Sequence, residues 1–258
     1  MFRKDNEVSL PILEELRQKI GDLVKGNGLS GTTVRVRLGT LTTQQAIGEP
    51  ERKDYPLLEG KEVMIEAELN GHSGQAFTDT PHDFTGTLDD ILTMDLDTNR
   101  ARAVLIASAN AVVASLGLVD RVRHCRDEEP ETCALELAGK LKDEFGQVRI
   151  GMIGLQPAIL DHLVRVFGGD DVVCTDLARK NIGTVKYGAK IWDGHTRTEE
   201  LITRSDIILA TSSTIVNNTF DHISQITREQ NKELIIFGVT GAAAAFLCDV
   251  RRMCFQPH

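Results

Sequence analysis

Between Val148 and Val239 short apolar runs alternate with segments of helical periodicity, and this alternation constrains the fold more than any other feature of the chain. Val148-Arg149-Ile150-Gly151-Met152-Ile153 reads as a buried strand, and Pro157 to Phe167 as an amphipathic helix closed by Gly168. Val172 to Thr175, Lys190 to Trp192 and Ile207 to Ala210 read as three further strands; Leu234 to Val239 is a last one, running into Thr240-Gly241 and an alanine-rich helix. Thr196 and Glu199 have the spacing of a capping box for the helix that ends before Ser205. Parallel strands need crossover connections, and helical crossovers cover both faces of the sheet. Five such units predict an α/β, Rossmann-like, doubly wound and mostly parallel sheet over residues 121–258.

The first part follows another pattern. From Ser9 to Val24 apolar residues recur three or four apart, with Pro11 where a first helical turn tolerates it. Val34 to Leu38 alternates strictly, Val63 to Leu69 is strand-like, and Asn70-Gly71 before Gly74 to Phe77 is a hairpin signal. Thr87 and Thr98 can cap the helices that follow. Arg100 to Leu116 is apolar nearly all round, so it is expected to be buried, with Ser108 bonding back to its own helix. Asn110 must find partners there, through a structural hydrogen bond or by lining a pocket. Residues 1–120 are thus expected to form a small α+β domain. An acidic link, Arg121 to Thr132, and a short helix join it to the sheet.

Several functions are disfavoured by composition. Lysine and arginine number 29 against 38 acidic residues, a net charge of −9 without a basic stripe, so no nucleic-acid partner is expected. Met1 to Glu7 is charged and no apolar run reaches bilayer length, so a cytoplasmic protein with no membrane partner is expected. Five scattered cysteines make no disulfide framework, and reduced thiols are expected.

Ligands of open α/β sheets bind beyond the carboxyl ends of the strands. After the first strand, Gly151 to Pro157 includes Gln156 but lacks the full dinucleotide fingerprint. Asp176 follows the second strand where a Rossmann acid would hold a ribose; capping the next turn is the other reading. After the fourth strand, seven of the nine side chains from Thr211 to Thr219 can hydrogen-bond, among them Ser212, Ser213, Thr214 and Asn217. This loop is the expected polar wall, its N–H groups free for a ligand and Thr219 capping the next helix. The last cluster is His124, Cys125 and Cys133, with Cys248, Cys254 and His258 near the end. Metal ligation by His124, Cys125, Cys133 and Cys254 is the sharper reading of it, although Cys-x7-Cys is not a zinc spacing, and packing at a domain junction is the plainer one. No catalytic set is evident, and no cofactor is named by a motif.

Taken in order, Asn110-Ala111, His124-Cys125 through Glu129-Pro130 to Cys133-Ala134, Gly154 to Ala158, Asp176-Leu177, Asn181 to Gly183, Ser213 to Thr219 and Gly238 to Thr240 resemble one uncharacterised bacterial and archaeal family, labelled for heavy-metal chelation. The resemblance is best from about Gly60 onward. It implies an enolase N-terminal-like domain, a Rossmann-like domain and a site where they meet. It also carries the suggestion that the site condenses or hydrolyses a flavin-, pterin- or metallophore-like compound. Two positions depart from the family pattern: Ser212 stands where glycine is usual, and Gly241 where a larger apolar residue is usual. Asn110, Gln156, Asp176, the 211–219 loop and Thr240 are accordingly expected to face a heteroaromatic or metal-chelating small molecule. A non-catalytic metal module and a nucleotide- or S-adenosylmethionine-binding methyltransferase relative are the rival readings.

Overall fold

A computed structural model of the chain describes residues 10–38, 47–59 and 63–256; the charged start Met1–Glu7, Ser9 and His258 lie outside them. Helix α1 (Ile12–Gly26) begins after Pro11, whose carbonyl accepts from the N–H groups of Glu14 and Glu15. Strands β1 (Thr33–Leu38), β2 (Val63–Leu69), β3 (His72–Thr78) and β4 (Phe84–Thr87) form an antiparallel sheet in the order β3-β2-β1-β4. The hairpin turn is where Asn-Gly places it, with φ of 52° at Asn70 and 80° at Gly71, conformations that these residues tolerate best. Strand β4 was not expected, because four residues of the type Phe-Thr-Gly-Thr carry too little alternation to read.

Helix α2 (Leu88–Thr93) starts with a reciprocal capping box between Thr87 and Asp90, and α3 (Asn99–Ser115) with Thr98 accepting from the Ala101 N–H. Every residue of α3 from Ala101 to Val113 is buried. Its small residues have a cause. Strand β3 lies directly on the helix backbone, and a Cβ on Gly74 would stand 2.2 Å from Ala111 N and 2.5 Å from Ala107 O. Ser108 departs from expectation, since its buried hydroxyl has no hydrogen-bond partner among the described residues.

Helix α4 (Glu129–Phe145) is not short. It spans 17 residues and begins inside the acidic link, with Pro130 in its first turn, where a missing N–H costs nothing. The second sheet follows, from β5 (Ile150–Ile153), β6 (Val172–Asp176), β7 (Val185–Lys186), β8 (Ala189–Asp193), β9 (Ile207–Thr211), β10 (Glu233–Phe237) and β11 (Arg252–Met253), in the order β11-β10-β9-β5-β6-β8-β7. All pairings are parallel except that of β7 with β8. The five expected strands are present, and the edges gain β7 and β11, two-residue strands too short to show a period. From β5 the chain runs out through β6 to β8 and returns to the other side of β5 with β9. The order therefore reverses between β5 and β9, the place where such sheets bind ligands.

Helices α5 (Pro157–Phe167), α6 (Thr198–Arg204), α7 (Ser213–Val216), α8 (Phe220–Glu229) and α9 (Ala242–Leu247) complete the fold. The expected Thr196–Glu199 box is absent. Helix α6 starts two residues later, the Thr198 hydroxyl donates to Gly194 O (2.8 Å), and Glu199 pairs with His222. Alternate residues of β9 enter two cores, Ile207 and Leu209 on one face, Ile208 and Ala210 on the other, so the parallel sheet is covered on both sides. The core under the antiparallel sheet continues into the second half through Ile215, Val216, Phe220 and Ala242 to Ala244. The protein is thus mixed α/β with two sheets, one mostly parallel, and nine α-helices among the described residues. None of those helices is long and apolar enough to cross a membrane.

Candidate functional site

A cavity of about 740 Å³ opens beyond the carboxyl ends of β5, β6 and β9, where they face the antiparallel sheet. Gly154 ends β5 with φ +88°, and a Cβ there would meet Thr211 Cγ2 at 2.5 Å, so only glycine lets the two strand ends close this tightly. Gln156 lines the cavity while its Oε1 accepts from the Ile159 N–H (2.6 Å), capping α5. Asp176 lines it too, at the end of the second strand of the sheet. Its carboxylate accepts from the N–H groups of Leu177 (2.7 Å) and Ala178 (3.2 Å) and from the Asn181 amide, the turn-capping reading. Thr175, beside it, went unnoticed in the sequence. Its buried hydroxyl has no hydrogen-bond partner among the described residues.

Thr211, Ser212, Ser213, Thr214, Asn217 and Thr219 all line the cavity. The segment is not an open loop, because α7 makes one helical turn of its middle and spends backbone donors internally. Asn217 N–H donates to Ser213 O (2.9 Å), and Ser212 N–H to Phe237 O (2.8 Å). Thr219 does not cap α8; its hydroxyl donates to Thr214 O (3.3 Å). Ile215 and Val216 anchor the segment in the core, and buried Arg102 of α3 donates to the Val216 carbonyl (2.6 Å). Asn217 Oδ1 accepts from Asn99 (3.3 Å), at the amino end of α3.

Two expected residues lie outside the cavity lining. Asn110 is fully buried, and its Nδ2 donates to Gln75 O (2.8 Å) and reaches Thr240 O (3.3 Å) and Val239 O (3.4 Å), while its Oδ1 accepts from Ala243 N–H (2.8 Å). It bolts α3 to both sheets. Thr240 accepts with its hydroxyl from Phe77 N–H (3.1 Å), joining the same two halves. Ser212 and Gly241, the two positions expected to differ from the family pattern, lie close together: a Cβ on Gly241 would come within 2.8 Å of Ser212 Cβ and 2.7 Å of Ile236 Cδ1. Volume present at one position is missing at the other.

The opposite wall holds the cysteines. Cys125 from the link, Cys133 from α4 and Cys254 after β11 line the cavity together with His124, whose ring stands edge-on to Phe77 at 5.3 Å. The neighbouring Cys125 and then Cys133, aided by the charge of Arg252, lower the Cys254 thiol, whereas Cys133, Cys254 and burial raise Cys125. All five cysteines are unpaired by disulfides, and among the described residues no group of three or more His, Cys, Asp or Glu side chains is arranged as a ready metal site.

Ile47, Tyr55 and Pro56 roof the cavity. Their segment is tied down by Arg52, which bonds to Glu131 and to Asp161 (2.6 Å), while Tyr55 and His162 also bond to Glu131. Burial pushes the Glu131 and Asp161 carboxyls up, but Arg52, together with His162 and Tyr55 at Glu131 and Arg165 at Asp161, outweighs it and holds both below the usual carboxylate range.

Fold and site together define a two-sheet α/β protein with a cavity at the strand-order reversal. The resemblance drawn from the residues holds in the comparisons: residues 138–251 match the model of the DUF364 family, described as "Putative heavy-metal chelation". A DUF364-family protein of unknown function from Pyrococcus horikoshii is similar in structure, with a TM-score of 0.50 and 15% identity over 90% of this chain and 80% of that one. One from Desulfitobacterium hafniense, also of unknown function, gives 0.48 and 13% over 72% of each chain. No curated protein matches the chain.

Proposed function

We propose that the protein binds a small heteroaromatic or metal-chelating molecule in this cavity, as an enzyme or carrier of metal-chelate metabolism. The observation that carries the reading is the cavity itself, placed at the β5/β9 reversal and walled by Thr211 to Thr219 on one side and the Thr175 hydroxyl on another. Its volume lies within the roughly 300–1,000 Å³ usual for small-molecule sites. Phe77, Tyr55, Ile159 and Phe237 offer apolar surface for a ring, and the hydroxyls and amides suit ring carbonyls or chelating oxygens. The division into an enolase N-terminal-like domain over 1–120 and a Rossmann-like domain over 121–258 belongs to the same proposal, and the two sheets support it.

Calorimetry and thermal-shift measurements with riboflavin, a pterin, a catecholate and a hydroxamate, each alone and as its zinc complex, test this reading. One of them is expected to bind with one-to-one stoichiometry and to protect the cavity. Stoichiometric binding of the bare ion alone would overturn it in favour of a metal module using His124, Cys125, Cys133 and Cys254. Binding only of S-adenosylmethionine or a nucleotide would overturn it in favour of a methyltransferase relative.

A further inference from the structure

We infer, resting on the ligand-binding reading above, that the cavity takes a two-part molecule: a planar ring on one face of the parallel sheet and an uncharged polyhydroxyl tail on the other, with Thr175 bonding the tail. Successive residues of a strand point to opposite faces, and the two faces of this sheet carry separate cores. The cavity lining draws on both, so the cavity straddles the carboxyl edge of the sheet. Ile47, Tyr55, Ile159, Phe237 and Met253 belong to the core on the α5 face and give that arm an apolar wall suited to a ring.

The arm on the face covered by α6 and α8 differs. It keeps Ile153 and Ile223 from the second core, but Thr175, Thr198, Glu199, Thr219 and His222 make the rest of it polar. Thr175 belongs to this face because Val173, two residues before it, packs against the same core. Gly194 N–H donates to Asp176 O (3.0 Å) and the Thr198 hydroxyl to Gly194 O (2.8 Å), which ties the start of α6 to the end of β6.

The hydrogen bonds already made decide what the arm can take. Thr198 and Thr219 have spent their hydroxyl hydrogens on Gly194 O and Thr214 O, so toward a ligand they accept. Glu199, 3.3 Å from His222, is an acceptor as well. The buried Thr175 hydroxyl has no hydrogen-bond partner among the described residues and can still donate. A valine of the same shape would avoid the cost of burying that group unpaired. Hydroxyl groups on a tail can donate to the acceptors and accept from Thr175 at the same time. An ammonium has no lone pair for the Thr175 O–H, and a phosphate or carboxylate would bring negative charge to Glu199 and to Asp176, which lines the same cavity.

The test compares rings with and without such a tail on the intact protein by calorimetry: riboflavin against lumiflavin, which carries a methyl in place of the ribityl group, and neopterin against pterin. The tailed member of a pair should bind about tenfold more tightly than its bare ring, as one or two neutral hydrogen bonds supply. Riboflavin 5′-phosphate should bind no better than riboflavin. Thr175→Val should melt at or above the wild-type temperature, yet lose roughly three- to tenfold in affinity for the tailed compound and none for the bare ring. Equal affinities within both pairs, or a preference for the phosphate, would overturn the two-part ligand and leave the cavity reading standing. A Thr175→Val protein that melts well below the wild type would overturn the assignment to Thr175, since its hydroxyl would then have a partner inside the fold. Failure of all four compounds to bind overturns the inference too, and the cavity reading falls with it only if the catecholate and the hydroxamate also fail.

Discussion

Asn110 and Asn217 sit at opposite ends of one packing arrangement, and the two regions use the same side chain for different ends. Around Asn110, helix α3 is pressed onto β3 so closely that Gly74 cannot carry a side chain, and every polar group of the amide is taken by backbone from both halves. Around Asn217, one short helical turn is held from behind by Ile215, Val216 and Arg102, and the polar face is left beside open space. The first region joins the sheets; the second uses the gap that the join leaves. Polarity in an apolar setting therefore does not by itself tell a joint from a cavity wall.

The strongest way to break this comparison is Asn110→Ala. It leaves the Gln75 carbonyl and the Ala243 N–H buried without their partner, at about 1–3 kcal/mol for each such group. Denaturant unfolding should show a loss of about 3 kcal/mol or more; a loss within the range of surface substitutions would mean that Asn110 is no bolt. Next in size is Gly241→Ala, whose methyl overlaps Ser212 and Ile236 and should cost about 1–3 kcal/mol. Ser212→Gly in the same chain should recover much of that cost. Strictly additive effects in the double-mutant cycle would show that the two departures are unrelated.

Asn217→Ala should sharpen the contrast. Stability stays within about 0.5 kcal/mol, while affinity for whichever chelator binds falls roughly three- to tenfold, the worth of one neutral hydrogen bond. An unchanged affinity beside a lower melting temperature would move Asn217 into the first region. The smallest effect near neutrality concerns the roof. Glu131 and Asp161 have depressed pKa values in the folded protein, so their pairing with Arg52 contributes fully above the ordinary carboxylate range of about 4 and is lost as pH falls through the lower folded values. Stability measured from pH 7 down to about 3 should therefore decline at the acid end in the wild type, and less steeply in Arg52→Met; parallel profiles would remove the roof pairing from the account.

Sequence pattern went furthest where structure is local. The alternation of Val34 to Leu38, the Asn70-Gly71 turn, the caps at Thr87 and Thr98 and the helix from Pro157 to Gly168 depend on neighbours within a few residues, and each is found as read. The rule that ligands lie beyond parallel strand ends was enough to mark Gln156, Asp176 and the 211–219 segment, all of which line the cavity. Local signals failed at Thr219, whose hydroxyl turns back to Thr214 O, and at Thr196, whose helix starts two residues later. A capping spacing says that a bond can form, not that it beats its alternatives.

Other features came only from the way the halves dock. Residues 125, 133 and 254 carry no shared period, and nothing in their spacing says that all three will line one cavity. Thr175 is one polar residue at the end of an apolar run until the neighbouring elements leave its hydroxyl without a partner. Asn110 and Thr240 looked like site residues because both are polar next to apolar runs, and only the closeness of β3 to α3 turned them into joints. Side-chain periodicity encodes which face of an element is buried. What that face meets is decided by packing between elements far apart in the chain, where an ångström separates a hydrogen-bonded joint from a cavity wall.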